Sequence, residues 1–286
     1  MGVLMLDTFP PKSVVVGIDG SQAAIRAALW AVDEVADTDI PLRLLYIRDL
    51  SVGAGQAEIR AAFDAGEKAV YAAYDAVNAM GKTVKLEMEI VEGRPVPMLI
   101  QASKSTPLIC VGDTGVGRSS PAGFGSTATE LIRSAHCSVA VIRGPSDAGS
   151  HREREVVAYV VGALDDEFAV ERGFEEAERR AAPLVLMMAW RCGLDDLQDD
   201  AALNEQERSR HAVLDRYAAV WSPRYPRVTV RTVVEYGPFL NYLTDHADST
   251  QVVVVGATQA HELRQLISPA ADPALRHSDF ALVVAR

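Results

Sequence analysis

The sequence predicts an α/β protein made of two similar doubly wound modules, each with a five-stranded parallel sheet flanked by helices. Three observations carry this. Short apolar runs alternate with amphipathic stretches of helical period, as a buried parallel sheet with covering helices requires. The whole pattern then occurs a second time at a nearly constant offset. Finally, a polar stretch with five glycines, VGDTGVGRSSPAGFGST from Val111 to Thr127, directly follows a buried apolar run.

The first module accounts for its elements in order. SVVVGID, Ser13 to Asp19, reads as a buried strand, and the helix after it repeats apolar residues at Ile25, Leu29, Val32 and Ala36. LRLLYI, Leu42 to Ile47, is a second strand. It is followed by a loop, SVGAGQ, and a long helix with apolar positions at Ile59, Phe63, Val70, Val77 and Met80. VKLEMEIVEG alternates as a strand, PVPMLIQAS starts a short helix with proline in its first turn, and PLICVG is a continuous apolar strand. After the glycine-rich stretch, ATELIRSA reads as a helix and SVAVIR as a closing strand. In a doubly wound sheet, ligands sit beyond the carboxyl ends of strands where strand order reverses, so Asp19 and the glycine loop are expected to end adjacent strands.

The repeat fixes the domain organisation. IPLRLLYI at Ile40 answers to APLVLMMAW at Ala182, and VEGRPVPMLI at Val91 to VVEYGPFLNYL at Val233. Pro41 pairs with Pro183, Gly112 with Gly256 and Arg143 with Arg286, at offsets of 142, 144 and 143. The modules are therefore 1–146 and 151–286, joined through GPSDAGSH, which has the composition of a flexible linker. The apolar closing strands SVAVIR and FALVVAR would be exposed edges in isolated modules. They are expected to pair, making a pseudo-dimer within one chain, with further homodimerisation open.

Composition narrows the function classes. The chain has 286 residues, 49% apolar and 23% charged, with a net charge of -11. An acidic surface opposes a polyphosphate backbone, so nucleic acid is not an expected partner. The N-terminal MGVLMLDTFPPK lacks a basic region followed by a long apolar one, and no run approaches the roughly 18 apolar residues of a membrane span. No membrane association and a cytoplasmic location are expected. Three cysteines at wide spacings suit neither a disulfide framework nor a metal site, and the six histidines show no HExxH pattern, so no metal site is expected.

The glycine-rich stretch contains no Gly-Lys-Ser or Gly-Lys-Thr, and no GxGxxG precedes a helix. Its chemistry is nevertheless that of an anion site. Gly112, Gly115 and Gly117 let backbone N–H groups turn toward an anion without side-chain obstruction. Gly125 and Ser126 lead into a helix whose N-terminus favours phosphate. VVVGIDGS opening the first copy, the G-xx-G-x9-G-S spacing from Gly112 to Ser126 and the closing HCSVAVI resemble the universal stress protein family, in its tandem form. The resemblance covers the whole chain. It implies an ATP-binding α/β fold in which the aspartate contacts the nucleoside and the glycine loop encloses the phosphates. ATP is the expected cofactor, with Mg2+ left open as its companion ion. The nucleotide-binding residues expected on this basis are Gly17, Asp19, Gly112, Asp113, Thr114, Gly115, Val116, Gly117, Arg118, Gly125, Ser126 and Thr127.

Several of these carry a second reading. Asp19 accepts from a ribose hydroxyl or caps the following helix, a job for which Ser21 competes. Thr127 and Glu130 have capping-box spacing. Asp113 lies where a carboxylate repels phosphate unless a cation bridges them or the side chain turns away. Arg118 donates to a phosphate or is a solvated surface arginine.

The second copy departs from the pattern. Gln259, Pro269 and Ala270 replace the second and third glycines and the serine, and Val161 or Gly162 stands where Asp19 would fall, with Asp165 and Asp166 several residues late. Only the first module is expected to bind nucleotide. The acidic DDLQDD, Asp195 to Asp200, reads as a solvated loop. The loop offers no lysine, so at most slow hydrolysis or autophosphorylation is expected and no catalytic residue is assigned. The expected function is that of an ATP-binding regulator in the stress response, with an adenine nucleotide and a regulatory protein as partners. The alternative is a nucleotide-independent interaction scaffold.

Overall fold

Val, Ile and Leu dominate the short strand segments, as strands covered on both faces require. The computed structural model describes residues 13–49, 55–116, 124–144, 154–163, 166–191, 200–261 and 279–286. The chain divides into two compact units, Met1–Ser146 and Asp147–Arg286.

In the first unit, β1 (Val14–Ile18), α1 (Gln22–Val35), β2 (Leu42–Arg48), α2 (Gln56–Ala79), β3 (Leu86–Glu92), α3 (Pro95–Ala102), β4 (Leu108–Gly112), α4 (Ser126–Ser134) and β5 (Ser138–Ile142) follow in chain order. All neighbouring strands are parallel, and the order is β3-β2-β1-β4-β5. Strand order therefore reverses between β1 and β4, which puts the ends of these two strands side by side.

The second unit holds β6 (Glu155–Tyr159), α5 (Asp166–Arg180), β7 (Leu184–Trp190), α6 (Asp200–Trp221), β8 (Val230–Tyr236), α7 (Phe239–Asp245), β9 (Thr250–Gly256) and β10 (Ala281–Ala285). Its order, β10-β9-β6-β7-β8, is the same winding, again parallel throughout. Val14 faces Leu42 in one unit and Val156 faces Leu184 in the other, which fixes the residue correspondence between the copies.

α1 buries a different stripe from the one its large apolar residues predict. Ala24, Ala27, Ala28, Ala31, Val32 and Val35 are buried, while Ile25 and Leu29 are only half-buried. The cause is close approach to β4: a Cβ placed on Gly112 would fall 2.5 Å from the carbonyl carbon of Ala23. Only small side chains allow that spacing. α2 similarly buries Gly66, Ala69, Val70, Ala73 and Val77, leaving Ile59 and Phe63 exposed near its start. Among the described residues, no helix is long and apolar enough to cross a membrane, and no cluster of three or more metal-ligating side chains occurs. Cys110 and Cys137 are buried. Cys192 lies outside the described residues.

Candidate functional site

The site grows out of the carboxyl ends of β1 and β4. Asp19 leaves β1 exposed to solvent, with Gly20 after it at φ +87° to turn the chain. One Asp19 oxygen accepts from the Ser21 N–H at 2.9 Å, and the other from the Val116 N–H at 3.3 Å. Ser21 does the helix capping, accepting from the Ala24 N–H at 3.1 Å. Its hydroxyl also donates to the Thr114 carbonyl at 3.4 Å. The competition for the cap thus goes to Ser21, and Asp19 instead ties β1 to the glycine loop.

The neck of that loop is a backbone clasp. The Asp113 N–H donates to the Ile142 carbonyl at 3.0 Å, and the Asp113 carbonyl accepts from Gly125 N–H at 2.7 Å. Gly125 is the N-cap of α4 and offers no side-chain acceptor, so α4 begins at Ser126 and Thr127 lies inside its first turn. The capping box expected of Thr127 and Glu130 is therefore not formed. Glu130 instead accepts from the Ser134 hydroxyl at 2.8 Å and faces Arg133 at 3.6 Å. The first turn of α4 has no acidic residue, which leaves the positive end of its dipole uncompensated by side chains.

A cavity of about 240 Å³ opens between these ends. Gly17, Asp19, Gly112, Asp113, Thr114, Gly115, Gly125, Ser126 and Thr127, all expected from the sequence, line it. Val116 projects to solvent at 66% exposure and contributes its N–H to Asp19. Gly117 and Arg118 lie outside the described residues, as does the acidic stretch through Asp199. The lining also includes Leu45, Tyr46 and Ile47 from β2, Pro95 and Leu99 from α3, and Val111. Sequence reasoning did not single these out. The available signal was positional, since the LLYI end of β2 and the proline-led α3 both abut the point of strand reversal. The cavity is thus apolar at the β2 and α3 end and polar at the α4 end.

Asp113 is the charged group to account for. Arg26 lies 3.7 Å away, and the Thr114 hydroxyl donates to its carboxylate at 3.3 Å. Burial nevertheless raises its pKa above the ordinary carboxylate value, outweighing the attraction of Arg143 and Arg26. Burial in turn lowers the Arg143 pKa, against the pull of Asp113. The Arg143 guanidinium stands over the Phe124 ring, 5.2 Å from its centroid. The carboxylate expected to oppose phosphate therefore has two arginines, Arg26 and Arg143, near it.

The Gly-Lys-Thr elsewhere in the chain, Gly81 to Thr83, follows α2, and Lys82 there pairs with Asp33. Residue 76 is alanine, so the phosphate-loop spacing is not met there.

In the second unit, strand register settles the counterpart of Asp19 as Val161, with Gly162 matching Gly20; Gly162 has φ +89°. Gln259 stands at the place of Gly115 and is buried. Pro269 and Ala270 lie outside the described residues.

Comparison with known proteins agrees with this architecture. The universal stress protein family profile matches residues 11–143. A universal stress protein of Mycobacterium tuberculosis (strain H37Rv) is 37% identical over 286 residues, covering 98% of both chains. Another from the same strain is 39% identical over 270 residues, covering 91% of this chain and 93% of its own. The crystal structure of a universal stress protein from Archaeoglobus fulgidus shares the fold, with a TM-score of 0.66 at 16% identity and 96% of both chains covered. With parallel strands wound in the same order in both units and relatives this similar along nearly their full length, the chain belongs to the universal stress protein family.

Proposed function

We propose that the first module binds one adenine nucleotide, ATP, and that the protein acts as a nucleotide-responsive regulator with slow or no hydrolysis. The observation that carries the reading is the two-ended cavity at the β1/β4 reversal. Its residues fit the parts of the ligand in sequence. Gly17, Leu45, Leu99 and Val111 give a flat apolar slot of the kind a nucleobase fills. Asp19 is exposed and within reach of a ribose hydroxyl. The free first-turn amides of α4, with the Ser126 hydroxyl, suit phosphate oxygens. Bound Mg2+ would supply charge neutralisation for the phosphates. Asp113, Arg26 and Arg143 hold the loop neck and offset one another's charge. No lysine lines the cavity among the described residues, which supports weak turnover at most.

The proposed compartment is the cytoplasm, and the proposed output is a change in contact with a regulatory protein. Titration of the full chain with ATP and with adenosine tests the ligand assignment. Gly17→Val would place a side chain against Val111, 3.2 Å from the Cβ position, and against Leu99. It should weaken both ligands alike by about tenfold or more, whereas equal affinity in the variant would place the base elsewhere.

A further inference from the structure

The second module has its own loop of backbone donors, and it is full. Asp166, the first residue of α5, is wholly buried. Its carboxylate accepts from the Gly162 N–H at 2.6 Å, the Ala163 N–H at 2.8 Å and the Val161 N–H at 3.2 Å. The Gln259 side-chain amide donates to its other oxygen at 3.4 Å. By strand register, Val161, Gly162 and Ala163 correspond to Asp19, Gly20 and Ser21, and Gln259 corresponds to Gly115. A carboxylate thus sits among donors at the positions that border the polar end of the first module's cavity.

The apolar end is filled as well. Tyr159 stands at the place of Gly17 and Phe239 at the place of Pro95. The two rings stack with centroids 4.1 Å apart and planes within 6°, and both are buried. An aromatic pair at this separation occupies the space a flat ring would take between glycine and proline.

We infer that the second module is internally liganded: the Asp166 carboxylate serves as its oxyanion, held by the Val161–Ala163 amides, and the Tyr159–Phe239 pair closes the rest of the cleft. The degenerate copy is then not merely short of glycines. It has a loop of backbone donors whose anion is part of the chain, and removing that anion should uncover a latent site for a small oxyanion such as inorganic phosphate. The inference takes from the proposed function only the idea that the corresponding positions surround a ligand.

Hydrogen exchange on the full-length protein, followed by mass spectrometry of the segment spanning residues 159–166, tests it. In the unaltered chain this segment should be protected and indifferent to phosphate. In Asp166→Ala, exchange there should quicken by about tenfold. Millimolar inorganic phosphate should restore protection, while chloride at matched ionic strength should not. Unchanged protection in the variant, or lost protection that phosphate fails to restore in a chain still unfolding cooperatively, would overturn the inference. Should Asp166→Ala not fold, Asp166→Asn keeps one acceptor while dropping the charge. It should then show intermediate exchange with partial recovery in phosphate; exchange equal to the unaltered chain would count equally against the idea. Failure of the ATP reading would appear elsewhere, as absence of ATP-induced protection in the segment spanning residues 112–127.

Discussion

Two glycines three residues apart do different work. Gly112 lies against backbone, with its Cβ position 2.5 Å from the Ala23 carbonyl carbon, whereas the Cβ position of Gly115 meets only the Asp19 carboxylate at 3.0 Å. Backbone cannot yield cheaply, but an exposed carboxylate can rotate. Gly112→Ala should therefore destabilise the protein by about 1 to 3 kcal/mol in chemical denaturation, while Gly115→Ala leaves stability nearly unchanged and weakens ATP. Equal losses of stability in the two would contradict this division. The sequence made both glycines legible as a pair but could not show that one faces a helix, because that depends on the alanine-lined approach of α1. Asp113 permits a prediction about pH. Its pKa is raised by burial in the folded state, so the unfolded chain releases the proton first. Stability contributed at this position is thus highest below the ordinary carboxylate pKa and falls as pH rises through the raised folded value. Asp113→Asn should be more stable than the parent at neutral pH, with the advantage shrinking on acidification through that window. Melting curves across mildly acidic to neutral pH check this, and an Asn variant less stable at neutral pH would show that the pairing with Arg26 and Arg143 outweighs burial.

At the scale of elements, the start of α4 is where structure and ligand compete for the same amides. Gly125 caps the helix without a side chain, and no acidic residue follows in the first turn. Gly125→Asp supplies both a cap and a negative charge, contributions that keep helix stability within about 1 kcal/mol of the parent or raise it. The same carboxylate would stand where phosphate is proposed to bind, so ATP affinity should fall by more than tenfold while adenosine is less affected. Loss of adenosine and ATP in equal measure would move the phosphates away from α4. Element types were legible from sequence because strand runs and helical periods differ plainly. What could not be read was which face of α1 and α2 is buried: Ile25, Leu29, Ile59 and Phe63 dominate the hydrophobic pattern, yet close helix-to-sheet packing selects alanine and glycine. The apolar end of the cavity escaped for a related reason. Leu45, Tyr46, Pro95 and Leu99 look like core residues in sequence and become lining only once β2 and α3 flank the strand reversal.

For the whole molecule, the repeat was the most informative signal, since it gave two modules of one winding and marked where the copies diverge. It could not reveal how the divergent copy closes. Asp166 was visible only as an acidic residue arriving late, and its burial against three backbone N–H groups goes with α5 starting two positions later, relative to its paired strands, than α1 does. The two modules thus differ in kind: one has an open two-ended cleft, and the other fills the corresponding positions with its own side chains. Each hydrogen bond to a charged phosphate is worth roughly 1.5 to 3 kcal/mol, so losing several separates the two modules by orders of magnitude in affinity at about 1.4 kcal/mol per tenfold. Calorimetric titration of the intact chain with ATP and magnesium tests this most directly. One nucleotide per chain, weakened at least about tenfold by Gly17→Val in the first module, is the predicted result; two comparable sites, or a single site that survives that substitution unchanged, would contradict it.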